Sequence, residues 1–305
     1  MRRFLKIIGV IWLVFLAVSF LGGSAVWQIL GLGTDLTIDG SAAIVRAAPK
    51  DIGGSWTAYG GDGKGTRYSS ADQITQENVA NLETAWLFQT RAFEGREGDR
   101  SNSAFEATPI LVEDSLVFCT QFQQVIAVAP DTGQEIWRFD PDVASGRQPG
   151  NQYSCRGVSY WPGPEDRVPE DSAQTANSGR PACASRLFVG TVDSRLIALD
   201  AKTGQACADF GDNGQVTIKP STELRWPGEM QITSAPAILG DTVITGSAIG
   251  DNLRTQAPFG TVHAFDVRTG APKWSFNPIP QDAADPARAS WAGNSAEVTG
   301  HANVW

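Results

Sequence analysis

Arg156, in the run Ser154-Cys155-Arg156-Gly157-Val158-Ser159-Tyr160, and the adjacent pair Asp251-Asn252 carry most of the chemistry that this chain's residue types allow. A guanidinium presents a planar fork of donors that matches a carboxylate or two neighbouring carbonyl oxygens. Asp and Asn side chains offer the hard oxygen ligands that Ca²⁺ or Mg²⁺ selects. Each has a plain reading too: a lone arginine is by default a surface ion pair, and Asp-Asn is a common loop turn. Glu106, Thr233 and Ser247, taken singly, read as turn or strand polarity. Other chemistries find no support. There are two histidines and no His/Cys metal spacing; His263 sits inside a strand pattern and reads as structural, while His301 means nothing alone. No Gly-x-Ser-x-Gly elbow occurs. The cluster Gly60-Gly61-Asp62-Gly63-Lys64-Gly65-Thr66 lacks the Ser or Thr that a phosphate loop needs after its lysine, and no helical pattern follows, so it reads as a turn.

The elements that must position these residues are set by a repeated phrase. It runs Ala127-Val128-Ala129-Pro130-Asp131-Thr132-Gly133-Gln134-Glu135-Ile136-Trp137, returns as Ala198-Leu199-Asp200-Ala201-Lys202-Thr203-Gly204-Gln205-Ala206-Cys207, and again as Ala264-Phe265-Asp266-Val267-Arg268-Thr269-Gly270-Ala271-Pro272-Lys273-Trp274. Each copy is a strand, a turn closing on Thr-Gly and a returning strand, which is a hairpin. Hairpins at intervals of about 65 to 70 residues with short strands between them describe the blades of a β-propeller. The second copy has Cys207-Ala208 where the others have tryptophan. Strand patterns fall at Pro109–Val112, Ser115–Thr120, Val125–Ala129, Arg186–Gly190, Leu196–Asp200, Ala235–Leu239, Thr242–Thr245 and Val262–Asp266, with strand character also over Leu82–Thr90 and a short helix near Ile74–Val79. That is roughly four blades' worth of strands. The last residues, Gly300 to Trp305, read as the start of another strand, so the ring is expected to be unfinished.

Composition agrees with one all-β domain: 305 residues, 42% hydrophobic, 32 glycines. The formal charge of −9 includes the basic start Arg2, Arg3 and Lys6, so the remainder is more acidic still and nucleic acid is excluded as a natural partner. No charge occurs between Lys6 and Asp35, and the run from Ile7 to Leu21 is almost wholly apolar. Residues 1–35 are therefore expected to be a signal anchor, 36–52 a linker and 53–305 the propeller, facing the periplasm from the cytoplasmic membrane; a cleaved periplasmic form is the alternative. The four cysteines suit an oxidising compartment. A Cys155–Cys183 bridge is expected, tying off a Pro-, Gly- and Ser-rich stretch, with Cys119 and Cys207 as small buried residues, although four cysteines allow three pairings.

A resemblance carries the functional reading further. Ala58-Tyr59-Gly60 with Arg67-Tyr68-Ser69, Ala107-Thr108-Pro109-Ile110, Phe118-Cys119-Thr120, the Cys155-Arg156-Gly157-Val158-Ser159-Tyr160 motif, Thr233-Ser234-Ala235-Pro236, Gly246-Ser247, Asp251-Asn252 and Asn303-Val304-Trp305 resemble, in order, the membrane-bound pyrroloquinoline-quinone (PQQ)-dependent dehydrogenases of the glucose, quinate and polyol branch. The resemblance implies an eight-bladed propeller with PQQ at the channel mouth beside Ca²⁺ or Mg²⁺. It implies that Arg156 pairs with the cofactor, Glu106 stands on its rim, Thr233 and Ser247 are hydroxyl donors, Trp305 stacks beneath the ring, and Asp251 and Asn252 bind the cation. It further implies oxidation of a sugar, polyol or alcohol, with electrons passed to membrane ubiquinone. Two departures stand out. Gln152 replaces a histidine of glucose-type members, and one extra residue separates Ser247 from Asp251. The family's general-base aspartate and quinone-contacting lysine belong to later blades, so this chain alone is expected to be inactive. The rival reading is a non-catalytic propeller scaffold for envelope protein assembly, which has no reason to keep Glu106, Arg156 and Asp251-Asn252 together.

Overall fold

The computed structural model describes residues 56–144, 150–164, 181–250, 253–298 and 304. Its framework is three four-stranded antiparallel sheets, each a meander in chain order apart from one inserted strand in the third. The first holds β2 (Ile110–Val112), β3 (Ser115–Cys119), β4 (Val125–Val128) and β5 (Glu135–Phe139); the second holds β7 (Ser159–Trp161), β8 (Arg186–Gly190), β9 (Arg195–Asp200) and β10 (Gln215–Thr217). The third holds β12 (Ala237–Leu239), β13 (Thr242–Thr245), β15 (Val262–Asp266) and β16 (Pro272–Phe276). Four further short strands form two two-stranded sheets: β1 (Ser103–Phe105) with β6 (Tyr153–Cys155), and β11 (Met230–Gln231) with β14 (Ala248–Ile249). The described residues thus make three blades rather than roughly four, because these extended runs pair outside the blades. Leu82–Thr90 joins no ladder. Among the described residues helix is confined to short turns, including Val79–Asn81, where the Asn78 side chain accepts from the Thr75 amide at 2.7 Å. The glycine cluster is a turn, as its sequence predicts, with Asp62 accepting from the amides of Lys64 and Thr66. Among the described residues no helix is long and apolar enough to cross a membrane; the expected anchor and linker over residues 1–52 lie outside them.

The repeated phrase explains how one blade is locked to the next. Each turn closes with the same bond, from the glycine N–H to the carbonyl four residues earlier: Gly133 to Ala129 at 2.8 Å, Gly204 to Asp200 at 2.9 Å and Gly270 to Asp266 at 2.9 Å. All three glycines have positive φ, where a side chain is strained. They also form a seat. A Cβ on Gly133 would lie 2.5 Å from the Trp86 ring, and one on Gly204 would lie 2.3 Å from the Trp137 ring. A tryptophan from one unit therefore covers the bare glycine of the following turn. In the degenerate second copy the seat at Gly270 is filled by the backbone of Gly211, which also donates to the Thr269 carbonyl at 2.9 Å, and by Val216. Asp266 secures its turn by accepting from the Arg268 and Thr269 amides; burial opposes its ionisation, but these bonds outweigh it and hold its carboxyl below the usual range.

Two apolar layers lie between successive blades. Val117, Val125 and Ala127 of the first blade meet Leu187, Val189, Ile197 and Leu199 of the second. Phe188, Leu196 and Ala198, on the opposite faces of β8 and β9, meet Val243 and Phe265 of the third, together with Phe210. This two-faced burial explains why β8 and β9 are almost continuously buried and apolar instead of alternating. Each such side chain contributes roughly 1.5–3 kcal/mol on burial.

The disulfides differ from the sequence expectation. Cys119 bonds Cys155, and Cys183 bonds Cys207. The Cys155–Cys183 reading followed from the Pro-, Gly- and Ser-rich stretch that the two bracket, whereas the sheet places Cys119, at the end of β3, beside β6, and Cys207, at the missing-tryptophan position, beside Cys183.

Two measurements follow from this packing. Gly204→Ala is expected to destabilise the chain by about 2–4 kcal/mol in urea unfolding, from ring overlap added to φ strain, whereas Gly240→Ala, at φ 54° with nothing within 4 Å, should cost only about 1 kcal/mol. His263, half-buried on β15, has its pKa pushed below its ordinary 6.5 by burial. The folded chain then binds fewer protons than the unfolded one, so this contribution is complete above the unfolded pKa and fades as pH falls through it. Wild type should lose more of its urea midpoint between pH 7.5 and 5.5 than His263→Gln does; equal losses would rule out this contribution.

Candidate functional site

The candidate site is built from the short segments that lead into the blades. β1 precedes β2, β6 precedes β7, and β11 precedes β12. β1 and β6 run parallel with Phe105 opposite Cys155, which makes Glu106 and Arg156 the next residues in register. The third segment lies along the second: Gly150 N–H donates to the Gly228 carbonyl at 2.7 Å, and Arg156 N–H donates to the Thr233 carbonyl at 2.9 Å. Side chains 50 and 77 residues away from Arg156 are brought to it by equivalent positions on adjacent segments.

The geometry is direct. Arg156 Nη1 donates to Thr233 Oγ1 at 2.9 Å, and Arg156 Nη2 lies 3.3 Å from Glu106 Oε2. Gln152 Nε2 donates to Glu106 Oε1 at 3.4 Å. Thr233 is buried, while the Arg156 and Glu106 side chains remain 34% and 33% exposed. The group thus joins one buried hydroxyl to two charged side chains that stay about a third exposed. Cys155, directly before Arg156, is fixed to the first blade through Cys119.

The third segment contributes more than Thr233. Met230 and Ile232 enter the apolar layer between blades, and strand alternation turns Glu229, Gln231 and Thr233 to the other face. Gln231 is fully buried, and neither amide atom has a partner; the buried Asn151 Nδ2, in the segment leading to Arg156, has none either. Buried amides are normally satisfied, so these atoms fit a polar occupant, whether ligand or water. No sequence signal marked either residue. A guanidinium, a hydroxyl and unfilled amides together suit an oxygen-rich anion.

The other expected residues are placed as follows. Ser247 is buried, and its hydroxyl donates to the Thr261 carbonyl at 3.0 Å, while its own carbonyl accepts from Val304 N–H at 3.1 Å. Asp251, Asn252 and Trp305 lie outside the described residues. A separate open hollow, lined by Leu87, Gln89, Arg91, Glu94, Glu135 and Arg138, shares no residue with this group. Its arginine Arg138 is already paired with Glu135 at 2.7 Å.

Residues 56–305 match the family described as "PQQ: Glucose/ethanol/alcohol dehydrogenase, beta-propeller domain". The chain is 34% identical over 260 residues to quinoprotein glucose dehydrogenase A of Acinetobacter calcoaceticus, covering 85% of this chain and 32% of that one. It is 34% identical to quinate/shikimate dehydrogenase (quinone) of Acinetobacter baylyi, covering 77% and 29%, and 36% identical to the glycerol dehydrogenase large subunit of Gluconobacter thailandicus, covering 73% and 28%. Among solved structures, quinohemoprotein alcohol dehydrogenase from Comamonas testosteroni matches with TM-score 0.51 and 27% identity over 76% of this chain and 28% of that one. The chain spans about a third of the length of the curated relatives it matches.

The Cys119–Cys155 bond closes a separation of 36 residues, for which the chain-entropy account gives about 3–4 kcal/mol. Cys119→Ser/Cys155→Ser is expected to lose about that much in denaturant unfolding and to raise amide exchange at residues 153–156 above that at β9; unchanged exchange there would mean that the bond does not fasten the Arg156 segment.

Proposed function

Because the chain belongs to the family of PQQ-dependent dehydrogenase β-propellers, we propose that it forms part of a quinoprotein that oxidises a hydroxyl group of a sugar, polyol or alcohol. The single observation that carries this reading is the gathering of Glu106, Arg156 and Thr233 from three successive segments into one open, anion-seeking group. We assign Arg156 to grip an oxygen pair of the cofactor through its forked donors. Thr233 orients that guanidinium and offers its hydroxyl, and Glu106, itself bonded by Gln152, holds the other arm of the fork. Ser247 and Trp305 complete the cofactor's surroundings in this reading, the first as a hydroxyl and the second as an aromatic face. Asp251 and Asn252 supply oxygen ligands to Ca²⁺ or Mg²⁺. The quinone, when bound, would supply a hydride acceptor and the cation Lewis-acid polarisation; Arg156, Thr233, Asp251 and Asn252 would hold the two groups.

Several features support the wider setting. The uncharged stretch behind Arg2, Arg3 and Lys6 supports an anchor in the cytoplasmic membrane, with the propeller outside it and ubiquinone as electron acceptor. Two disulfides support an oxidising compartment. Relatives named for glucose, quinate and glycerol support a small polyhydroxy substrate. Gln152, which can hydrogen-bond but carries no charge, favours a substrate other than glucose. The resemblance assigns no residue of this chain to the general base that takes the hydroxyl proton.

The test is a titration of the purified chain with PQQ and Ca²⁺, following quinone absorbance and dye reduction with glucose, quinate and simple alcohols. Weak quinone binding without appreciable turnover is expected. Arg156→Ala should weaken binding about tenfold or more, and Arg156→Lys should recover only part of it. Absence of quinone binding by wild type, or binding indifferent to Arg156, would refute the assignment; robust turnover would refute the expected inactivity.

A further inference from the structure

Gln123 lies in the turn between β3 and β4, and its side chain is fully buried. The turn is tight: Thr120 N–H donates to the Gln124 carbonyl at 2.8 Å, and Gln123 N–H donates to the Thr120 carbonyl at 2.9 Å. Gln123 sits there at φ 59°, a left-handed conformation that glycine enters freely and a residue with a side chain enters at a cost. Glycine would make this turn more easily. What the glutamine adds is its amide, and both donors and the oxygen of that amide are engaged. Nε2 donates to the Gln121 carbonyl at 2.9 Å and to the Ser154 carbonyl at 2.8 Å, while Oε1 accepts from Val192 N–H at 3.4 Å. Two carbonyls face the nitrogen and an N–H faces the oxygen, so chemistry fixes which way the amide points.

These partners belong to different parts of the fold. Gln121 is in the same turn of the first blade, Val192 is in the β8–β9 turn of the second, and Ser154 stands two residues before Arg156 on β6. Alternate residues of a strand aim their backbone groups to one side, so the Ser154 carbonyl faces the way of Arg156 N–H, which donates to the Thr233 carbonyl. On that third segment, Ile232 N–H is spent on the Thr191 carbonyl at 2.9 Å, and it is the Gln123 amide that meets Ser154. Three consecutive residues are thus held by three different groups: Ser154 by Gln123, Cys155 by Cys119 and Arg156 by Thr233. The first two holders come from the first blade.

Stability alone accounts poorly for this glutamine. Its backbone is strained where glycine would not be, and a buried amide repays its desolvation only by the bonds it makes. Those bonds fix the backbone beside Arg156. We infer that Gln123 is a positioning residue for the cofactor-binding arginine: its amide holds the Ser154 carbonyl and so sets the direction in which Arg156 leaves its segment toward Glu106 and Thr233. Gln123 does not touch the cofactor in this assignment; it acts through the backbone. The inference rests on the quinoprotein reading above and adds to it that a turn of the first blade aligns an arginine carried by the segment entering the second.

The test uses the full 305-residue chain with two readouts. The first is amide hydrogen exchange without added ligand, and the second is titration with PQQ followed by quinone absorbance. Gln123→Met keeps the side-chain length and removes the hydrogen bonds, and Gln123→Gly removes them while relieving the turn. In each, exchange at residues 154–156 should rise while residues 262–266 of β15 stay at the wild-type rate, and the PQQ dissociation constant should increase about five- to tenfold. If Gln123→Met does not fold, Gln123→Gly, free of the φ strain, supplies both readings. In an Arg156→Ala background the same substitution should weaken PQQ binding no further, because the group it positions is gone. A glutamine with a general structural role would weaken both backgrounds alike. A folded variant with wild-type exchange at residue 156, wild-type PQQ affinity, or an equal loss in the Arg156→Ala background overturns the positioning role and leaves the quinoprotein reading intact. A wild-type chain that takes up no PQQ overturns both.

Discussion

The parallel register of the segments that lead into the blades is the constraint from which the rest of the site follows. Phe105 opposite Cys155, and Arg156 bonded through its backbone to Thr233, leave no freedom in which side chains become neighbours. A shift of one residue would turn Arg156 to the opposite face and break both its contacts. The register is defended by means independent of the site's own chemistry. The Cys119–Cys155 bond ties one segment covalently to the preceding blade, and the buried Gln123 amide donates to the Ser154 carbonyl at 2.8 Å. An arginine that must meet a ligand can therefore stay a third exposed without losing its place.

The blades supply the stiff support. The inter-blade contacts combine apolar layers with glycine seats that a side chain on the glycine would close. Tryptophan fills the seat at Gly133 and Gly204. At Gly270 the chain solves the same problem differently, with Gly211 and Val216 in the seat and the Cys183–Cys207 bond behind them. The degenerate repeat is thus a substitution of one fastening for another. Trp274, the repeat's third aromatic position, is 48% exposed, and the whole of β16 faces solvent.

The protein carries a net −9, and the group pairs one guanidinium with one carboxylate, each about a third exposed. Glu106 holds the guanidinium without burying it, and an exposed pair of this kind contributes about 0–1 kcal/mol to stability. A pair with a fully buried carboxylate, such as Glu229–Arg254, behaves oppositely, since removing the arginine strands a buried charge.

The sequence by itself determined the blade hairpins, their Thr-Gly turns and the identity of the residues with chemical potential, because these depend on local periodicity and on glycine's access to positive φ. Arg186–Gly190, Thr242–Thr245 and Val262–Asp266 are strands at the bounds their patterns give. It also singled out Glu106, Arg156 and Thr233 as members of one set, though only through resemblance to a family. Tertiary structure alone decided which cysteines pair, how many blades the described strands make, that the Gln231 amide is buried without a partner and that Glu229 pairs with Arg254. The physical reason is the range over which each is specified. A turn is fixed by four neighbouring residues, whereas a parallel register between segments 50 or 77 residues apart is fixed by packing and hydrogen bonds that no local pattern encodes.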